Sequence, residues 1–148
     1  MSEAERLARF DFRALHVEDE KKEELSCGLK RLLGDVKGII FAYVHGGFVE
    51  LKSFRDLDVA IWIENPENAF DYTVNLSAKL EAELRIPVDI HGLNNAPLPF
   101  KRHVFVEGML LLSADEEFRL RILDETLRLY FDLKELNKAD VHATQGKR

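Results

Sequence analysis

The chain has 148 residues, of which 46% are hydrophobic and 32% charged, and its formal net charge is −6. This balance excludes a disordered or fibrous protein and predicts one globular domain. The negative charge argues against binding to long DNA or RNA, which depends on clustered lysine and arginine. Because the sequence has neither a membrane-spanning apolar run nor a secretory signal pattern, we expect a cytoplasmic protein without membrane contact. The single cysteine, Cys27, excludes a disulfide framework within one chain.

The first half of the chain predicts an arm, a helix and a strand. Residues 1–17 show no clear pattern and are predicted as an N-terminal arm. Within this arm, four apolar side chains are available for packing: Leu7, Phe10, Phe12 and Leu15. Leucines recur at helical spacing from Glu18 to Leu33, and the following Gly34 is a typical helix stop. The apolar and aromatic run IIFAYV, residues 39–44, favours a buried strand.

The second half alternates between strands and helices. Strict alternation from Asp56 to Ile63 predicts a half-buried strand. Asn65 and Pro66 then begin a helix that runs to about Arg85, and IPVDI, residues 86–90, predicts a third strand. A short helix up to Glu107 precedes a predicted edge strand at 109–112. Ser113 and Glu116 form a capping box for a long helix to about Leu136. The polar tail covers 137–148, so the predicted domain spans 18–136.

Three aspartates form the candidate metal site. Asp56 and Asp58 lie at i and i+2 of one strand, so their side chains project from the same face. Asp89 lies on the next predicted strand and joins them if the two strands are neighbours. Carboxylates brought together in this way repel one another unless cations lie between them. An Asp-x-Asp pair alone is also common on solvated strand faces, so the pattern needs support from elsewhere in the chain.

A glycine pair provides that support. Gly46 and Gly47 follow the strand at 39–44, where bare backbone N–H groups allow a triphosphate to approach closely. A plain turn is the alternative explanation for the glycines. The order of strand, Gly-Gly, strand with Asp-x-Asp, helix, and strand with Asp favours a nucleotide site.

In this arrangement the sequence resembles the minimal nucleotidyltransferase domains of the DNA polymerase beta superfamily. Their pattern is an apolar strand, Gly-Ser, a spacer, Asp-x-Asp and a later Asp. Here it reads FAYVHGGFVELKSFRDLDVAIWI followed by IPVDIHGLNNAP. The later segments FKRHVFVEGMLLLS and DEEFRLRIL resemble the antitoxin branch, which is paired with toxins of the higher eukaryotes and prokaryotes nucleotide-binding (HEPN) type. The resemblance covers about residues 22–136.

The resemblance implies an α/β nucleotidyltransferase fold, with a small mixed sheet, helices on one face and a long C-terminal helix. It implies two Mg²⁺ ions held by Asp56, Asp58 and Asp89, and ATP as the donor of a nucleoside monophosphate. The acceptor it implies is a hydroxyl on a protein, such as a helical HEPN toxin. Asp89 is the candidate acceptor of the hydroxyl proton. A homo-oligomer is left open.

Two departures from the family pattern favour an alternative, a binding antitoxin with weakened or lost catalysis. Gly47 replaces the family's serine, which removes a hydroxyl that would bind a phosphate. The spacer from Phe48 to Arg55 is also short. Lys52 and Arg55 are candidate phosphate ligands, although solvated loop charges are equally consistent with the pattern. Three histidines near the motifs are read as ordinary surface or packing residues, because they lack tight ligand spacing: His45, His91 and His103.

The long C-terminal helix carries more apolar residues than one docking face needs. One stripe consists of Phe118, Ile122, Leu129, Leu133 and Leu136. A second stripe consists of Leu120, Leu123, Leu127 and Tyr130. Since one stripe is enough to dock a helix on its own sheet, we expect part of this helix to face another chain. The alternative is that the N-terminal arm covers it.

Overall fold

The computed structural model describes residues 2–145, with side chains described for residue 2 and residues 19–140. Within them, four strands form one sheet: β1 (Ile39–His45), β2 (Leu57–Ile63), β3 (Val88–Gly92) and β4 (Met109–Ser113). The spatial order is β3-β2-β1-β4. β1 is antiparallel to β2 and β4, whereas β2 and β3 are parallel. The predicted mixed sheet is confirmed, and β4 is an edge strand as predicted.

Six α-helices accompany the sheet in the described part of the chain. They are α1 (Glu3–Gly34), α2 (Gly47–Glu50), α3 (Ala69–Asp71), α4 (Ser77–Leu84), α5 (Leu98–Glu107) and α6 (Glu116–Gln145). The described residues contain no helix that is both long and apolar enough to span a membrane.

A helical crossover joins the parallel strands β2 and β3, as parallel pairing requires. It begins with a 3₁₀ turn, Pro66–Asn68, and continues through α3, a π-helical segment (Tyr72–Leu76) and α4. The Asn65 side chain accepts a hydrogen bond from the Glu67 N–H at 3.1 Å, which confirms the predicted helix start. This crossover returns the chain to the edge beside β2 and thereby positions β3.

The first face of the sheet packs against α1 and α4. The alternating apolar side chains of β2 lie in this core, as predicted: Leu57, Val59, Ile61 and Ile63. Leu29 and Leu33 of α1 and Leu80 of α4 are fully buried against them. Burying side chains of this size contributes about 1.5 to 3 kcal/mol each. The predicted leucine face of α1 is therefore the face that docks.

The second face is covered as well, by α5 and the first turns of α6. Its buried core consists of Phe41, Tyr43, Ala60, Leu93, Val104 and Phe105. Phe118, Ile122 and Leu123 of α6 pack against this core, and Trp62 stacks on Phe41 with ring centroids 5.6 Å apart. Helices therefore cover both faces of the sheet, whereas the sequence predicts helices on one face and a long C-terminal helix. The face of β2 that carries Asp58 continues with Ala60 and Trp62, which require an apolar cover.

Three element boundaries differ from the sequence prediction. α1 begins at Glu3 rather than Glu18, and α6 continues past Leu136 to Gln145, because no glycine or proline interrupts either stretch. The packing predicted for the arm residues Leu7, Phe10, Phe12 and Leu15 lies outside the described side chains. β3 begins two residues later than predicted and includes Gly92, since Pro87 lacks the N–H that a strand residue would donate.

Candidate active site

Asp58 and Asp89 meet across the parallel pair of strands. Asp58 is the second residue of β2 and Asp89 is the second residue of β3, and the two residues lie opposite each other in the register. Their neighbours Leu57 and Val88 point into the first core, so both carboxylates project from the other face, the side covered by α5. The condition under which Asp89 joins the cluster, that its strand lies beside the strand with Asp58, is met.

His91 completes the cluster. It lies two residues after Asp89 on β3, so its side chain leaves the same face of the sheet. Its Nε2 atom lies 3.2 Å from Asp89 Oδ2 and 3.8 Å from Asp58 Oδ1. The ligand atoms of Asp58, Asp89 and His91 all lie within 4.8 Å of one another, a spacing that one metal ion is able to bridge. Two oxygen donors and one nitrogen donor thus converge at the edge of the sheet.

Asp56 lies next to this group but outside it. It immediately precedes β2 and is exposed to solvent. Partial burial raises the pKa of the Asp58 carboxyl above its usual value, and the negative charges of Asp56 and Asp89 raise it further, against the opposing influence of His91. A cation between these carboxylates would relieve this electrostatic strain. The donor set therefore fits a divalent metal ion.

Gly46 brings the backbone directly against the Asp58 carboxylate. Its φ angle is +72°, a conformation that residues with a side chain rarely adopt. A Cβ atom at this position would lie 2.5 Å from Asp58 Oδ2, so a side chain would displace the carboxylate. Gly47, the first residue of α2, has no such constraint, since a Cβ atom there would meet only Leu51 Cδ1 at 3.4 Å. The glycine pair thus follows the end of β1, and Gly46 lets the backbone there lie against the Asp58 carboxylate.

The remaining predicted phosphate ligands lie further along the same connection. Lys52 and Arg55 are both exposed on the stretch between α2 and β2. No ion pair among the described residues includes either side chain. Their assignment to the phosphates stays a prediction.

A cluster of aromatic rings lies beside the metal-binding candidates, and sequence reasoning missed it. His45 ends β1 opposite Asp58 and is only 6% exposed. Its ring centroid lies 5.6 Å from that of His91 and 5.5 Å from that of Phe100, which α5 contributes. Burial, followed by the charges of His91 and His103, lowers the pKa of His45 to about 4. His45 is therefore neutral at physiological pH, in a site that His91 shares.

An open cavity of about 390 Å³ lies on the outer side of His91. Its lining consists of Thr73, Ile90, His91, Gly92, Ala96, Pro97 and Phe100. The cavity is largely apolar and ends at the same histidine that touches Asp89. The cavity thus adjoins the carboxylates only through His91.

A family model for polymerase beta nucleotidyltransferases matches residues 28–117, a range that includes the glycine pair and all three aspartates. This chain belongs to the polymerase beta nucleotidyltransferase family. No curated protein shows significant sequence similarity to it.

Solved structures show which members of the nucleotidyltransferase family share its fold. One is a tri-AMPylated Shewanella oneidensis HEPN toxin in complex with a minimal nucleotidyltransferase (MNT) antitoxin, with 20% identity and a TM-score of 0.64 over 84% of this chain and 98% of that chain. Another is a toxin–antitoxin with AMP-PNP, with 20% identity and a TM-score of 0.65 over 81% of this chain and 98% of that chain. A third is the toxin–antitoxin MntA-HepT, with 17% identity and a TM-score of 0.59 over 86% of this chain and 98% of that chain. The predicted nucleotidyltransferase fold is confirmed.

Proposed function

We propose that this nucleotidyltransferase-family domain transfers AMP from ATP to a hydroxyl group on a partner protein, with divalent metal ions bound at its aspartates. The observation that carries the proposal is the pairing of Asp58 with Asp89 across β2 and β3, which gathers two carboxylates and His91 within 4.8 Å. A donor set of this kind on a polymerase beta fold matches the chemistry of phosphoryl and nucleotidyl transfer. The complex with AMP-PNP among the structures of similar fold supports an adenine nucleotide as the donor.

The proposed roles of the residues are those that the resemblance to the nucleotidyltransferase family implies. Asp56 and Asp58 would hold the metal ion that carries the triphosphate, and Asp58 and Asp89, with Asp56, would hold the second ion. Bound metal ions would neutralise the phosphate charge and acidify the acceptor hydroxyl. The backbone at Gly46 and Gly47 offers N–H groups to phosphate oxygens, and Lys52 and Arg55 are candidates for the outer phosphates.

In the proposed reaction, the oxygen of the acceptor hydroxyl attacks the α-phosphate of ATP in line. A new P–O bond forms to the acceptor, the bond between the α- and β-phosphates breaks, and pyrophosphate leaves with its electron pair. The hydroxyl proton passes to Asp89, an exposed carboxylate that contacts His91. The acceptor side chain would approach along the cavity that ends at His91.

Substitution of the aspartates tests the metal and nucleotide assignment. Asp56→Asn and Asp58→Asn keep the side-chain shape but remove a charged ligand, so we expect Mg²⁺-dependent ATP binding to weaken clearly in calorimetry. Asp89→Asn should retain more of the ATP binding and lose AMP transfer, because Asp89 serves the acceptor. Unchanged binding in both Asp56→Asn and Asp58→Asn would show that the assignment is wrong.

For the acceptor we propose a tyrosine hydroxyl on a helical HEPN toxin. The support is the fold shared with an MNT antitoxin in complex with a tri-AMPylated HEPN toxin. The test is transfer of label from α-labelled ATP to a HEPN protein encoded beside this chain. Label on the toxin that is lost in Asp89→Asn supports the proposal, and an unlabelled toxin with intact ATP binding contradicts it.

The second candidate function is an antitoxin that acts by binding alone. Gly47 and the short spacer from Phe48 to Arg55 favour it, because both remove groups that would contact phosphates. Relief of toxicity by the Asp58→Asn and Asp89→Asn variants, together with the absence of label transfer in the parent, would support this candidate over the enzyme.

A further inference from the structure

The position of His91 on β3 directs its side chain towards the two carboxylates. It follows Asp89 at i+2 on β3 and lies opposite Ala60 of β2, two residues along the register from the Asp58–Asp89 pair. Its Nε2 atom lies nearest Asp89, at 3.2 Å from Oδ2. All three donor atoms lie within 4.8 Å of one another. This spacing is compatible with three ligands around one ion.

The ring of His91 is held by its neighbours. Phe100 of α5 packs against it with a centroid distance of 5.6 Å and an interplanar angle of 64°. His45, whose buried Nε2 atom has no hydrogen-bond partner in the described part of the chain, also packs against it with a centroid distance of 5.6 Å. The rings of His45 and Phe100 lie 5.5 Å from each other, so the three rings form one cluster. Packing in this cluster restricts the rotamers of His91 and favours a position of its nitrogen beside Asp58 and Asp89.

A nitrogen ligand changes which ion the cluster prefers. Mg²⁺ strongly favours oxygen donors and retains several of its waters, whereas imidazole is a good ligand for first-row transition ions. For a mixed site of carboxylates and imidazole, affinity rises from Mn²⁺ towards Co²⁺. The pair Asp56 and Asp58 lacks such a nitrogen and would keep the preference of oxygen donors for Mg²⁺.

We propose that His91 is a metal ligand together with Asp58 and Asp89, and that it makes this position select a first-row transition ion over Mg²⁺. The inference rests on the proposed metal-dependent function and adds to it a difference between two metal positions. The Asp56 and Asp58 position takes the Mg²⁺ that accompanies the triphosphate. The position that contains His91 takes Mn²⁺ or Co²⁺ and serves the acceptor.

Metal binding to the free protein tests this without any assay of activity. Titration of Co²⁺ and of Mg²⁺ is followed by calorimetry in a Cys27→Ser background, because the exposed Cys27 thiol is itself a soft ligand. The parent should bind Co²⁺ more tightly than Mg²⁺. His91→Asn should weaken Co²⁺ binding at least about tenfold, since even the loss of a hydrogen bond to a ligand costs this much. Its Mg²⁺ binding should change little.

Two further variants separate a ligand from a packing residue. His103→Asn is the matched control, since His103 lies near the same rings but contacts Glu50 at 3.7 Å and is outside the ligand group. It should keep the parent's Co²⁺ affinity. His91→Asp supplies an oxygen in place of nitrogen and should shift the preference towards Mg²⁺. Retained Mg²⁺ binding in these variants also shows that they are folded.

Two outcomes would overturn the inference. One is a parent that prefers Mg²⁺ to Co²⁺, and the other is a His91→Asn variant with parental Co²⁺ affinity while Asp58→Asn loses it. In the second case the metal site of the proposed function stands and only the role of His91 fails. Parental affinity for both ions in Asp58→Asn and Asp89→Asn would instead overturn the proposed metal site itself.

Discussion

Gly46 and Gly47 are adjacent in the chain but tolerate a side chain differently. Gly46 combines a φ angle of +72° with a position against Asp58 Oδ2, so any larger residue is strained and displaces the carboxylate. Gly47 has an ordinary φ angle and meets only the flexible end of Leu51. The family's serine is therefore compatible with the backbone at Gly47, and its absence there has no steric cause.

Restoring that serine is the first prediction. Gly47→Ser should tighten ATP binding or raise AMP transfer, because its hydroxyl adds a hydrogen bond to a phosphate. A charge-assisted bond of this kind contributes about 1.5 to 3 kcal/mol at most. Calorimetric titration with Mg²⁺ and ATP measures the effect.

Gly46→Ser is the matched control for that prediction. It should weaken ATP binding and lower the free energy of unfolding by about 1 to 3 kcal/mol, the usual cost of this backbone region for a residue with a side chain. If Gly47→Ser also lost ATP binding, the backbone of α2 would need glycine at both positions and the prediction would be wrong.

The second prediction concerns the pH dependence of stability through His45. The native pKa is lowered to about 4, mainly by burial, whereas the unfolded chain takes up the proton near pH 6.5. Since the unfolded state binds more protons between these values, stability falls as the pH is lowered from 6.5 to 4, by at most about 3 kcal/mol. In urea denaturation without divalent ions, His45→Leu should lose this component. An equal pH slope in parent and variant would contradict it.

The sequence identifies Asp58 and Asp89 as site residues but not His91, because the predicted third strand ends one residue before His91. Alternation placed both aspartates on strand faces, and the register of β2 and β3 joins them. The third strand was expected to stop at Ile90, which left His91 in a loop with no defined direction. In the structure β3 continues to Gly92. Asp89 and His91 therefore lie at i and i+2 of one strand, and their side chains leave the same face of the sheet.

At the scale of elements, the start of α6 depends on a cap that differs from the predicted one. Ser113 is the last residue of β4, and the helix begins at Glu116. Asp115 Oδ1 accepts a hydrogen bond from the Phe118 N–H at 3.0 Å, which makes Asp115 the N-cap. Arg119 then donates to the Tyr43 hydroxyl at 2.5 Å and pairs with Glu116, so the first turn of α6 is fastened to β1.

The third prediction tests this cap. Asp115→Ala should lower the free energy of unfolding by about 1 kcal/mol, because the Phe118 N–H loses its side-chain acceptor. Asp115→Asn retains an acceptor oxygen and should stay close to the parent. Urea denaturation of the three proteins measures the difference. If Asp115→Ala and Asp115→Asn lowered the free energy of unfolding equally, the negative charge of Asp115, rather than its hydrogen bond to the Phe118 N–H, would stabilise the helix.

Strands and helices were easier to predict than the way they stack. The alternation of β2 correctly separated Leu57 and Val59 from Asp58, because a half-buried strand needs one apolar face. Nothing in a single strand says that Ala60 and Trp62 on the other face also pack, since an alanine and a tryptophan occur on exposed faces too. Their cover comes from α5 and α6, which lie far away in the sequence.

At the scale of the whole molecule, α6 leaves an apolar surface uncovered. The predicted division into two stripes is wrong, because the docking face takes Phe118 and Ile122 from one stripe and Leu123 from the other. Thr126 is the last residue of this face that is buried. Among its described side chains, the exposed apolar residues of α6 lie on two opposite faces, since an α-helix turns by about 100° per residue. One face carries Leu129, Leu133 and Leu136, and the other carries Leu120, Leu127 and Phe131. A surface of this kind on a long helix is typical of a site for another chain.

The fourth prediction is that the face of α6 with Leu120, Leu127 and Phe131 binds the proposed HEPN partner. Leu120 and Leu127 are 49% and 40% exposed, so Leu120→Glu and Leu127→Glu should not disturb the core. They should abolish co-purification of the toxin and leave ATP binding intact, because the partner would have to bury a charge.

Phe70 provides the control for the partner surface. It is 78% exposed on α3, away from α6, and Phe70→Glu should leave co-purification unchanged. If the toxin still co-purified with both α6 variants, this helix would not be the partner surface. Loss of the toxin with Phe70→Glu as well would place the interface elsewhere or spread it over both helices.

Because β3 is an edge strand with a neighbour only on the β2 side, the candidate site depends on a strand that is paired on one side only. Detachment of β3 would carry Asp89 and His91 away from Asp58 while β1, β2 and β4 stayed paired. The site would then open at a free energy below that of global unfolding. An ion bound by both Asp58 and Asp89 would link β3 to β2 and oppose this detachment. Slow hydrogen exchange of the β3 amides would therefore indicate that an ion occupies the site.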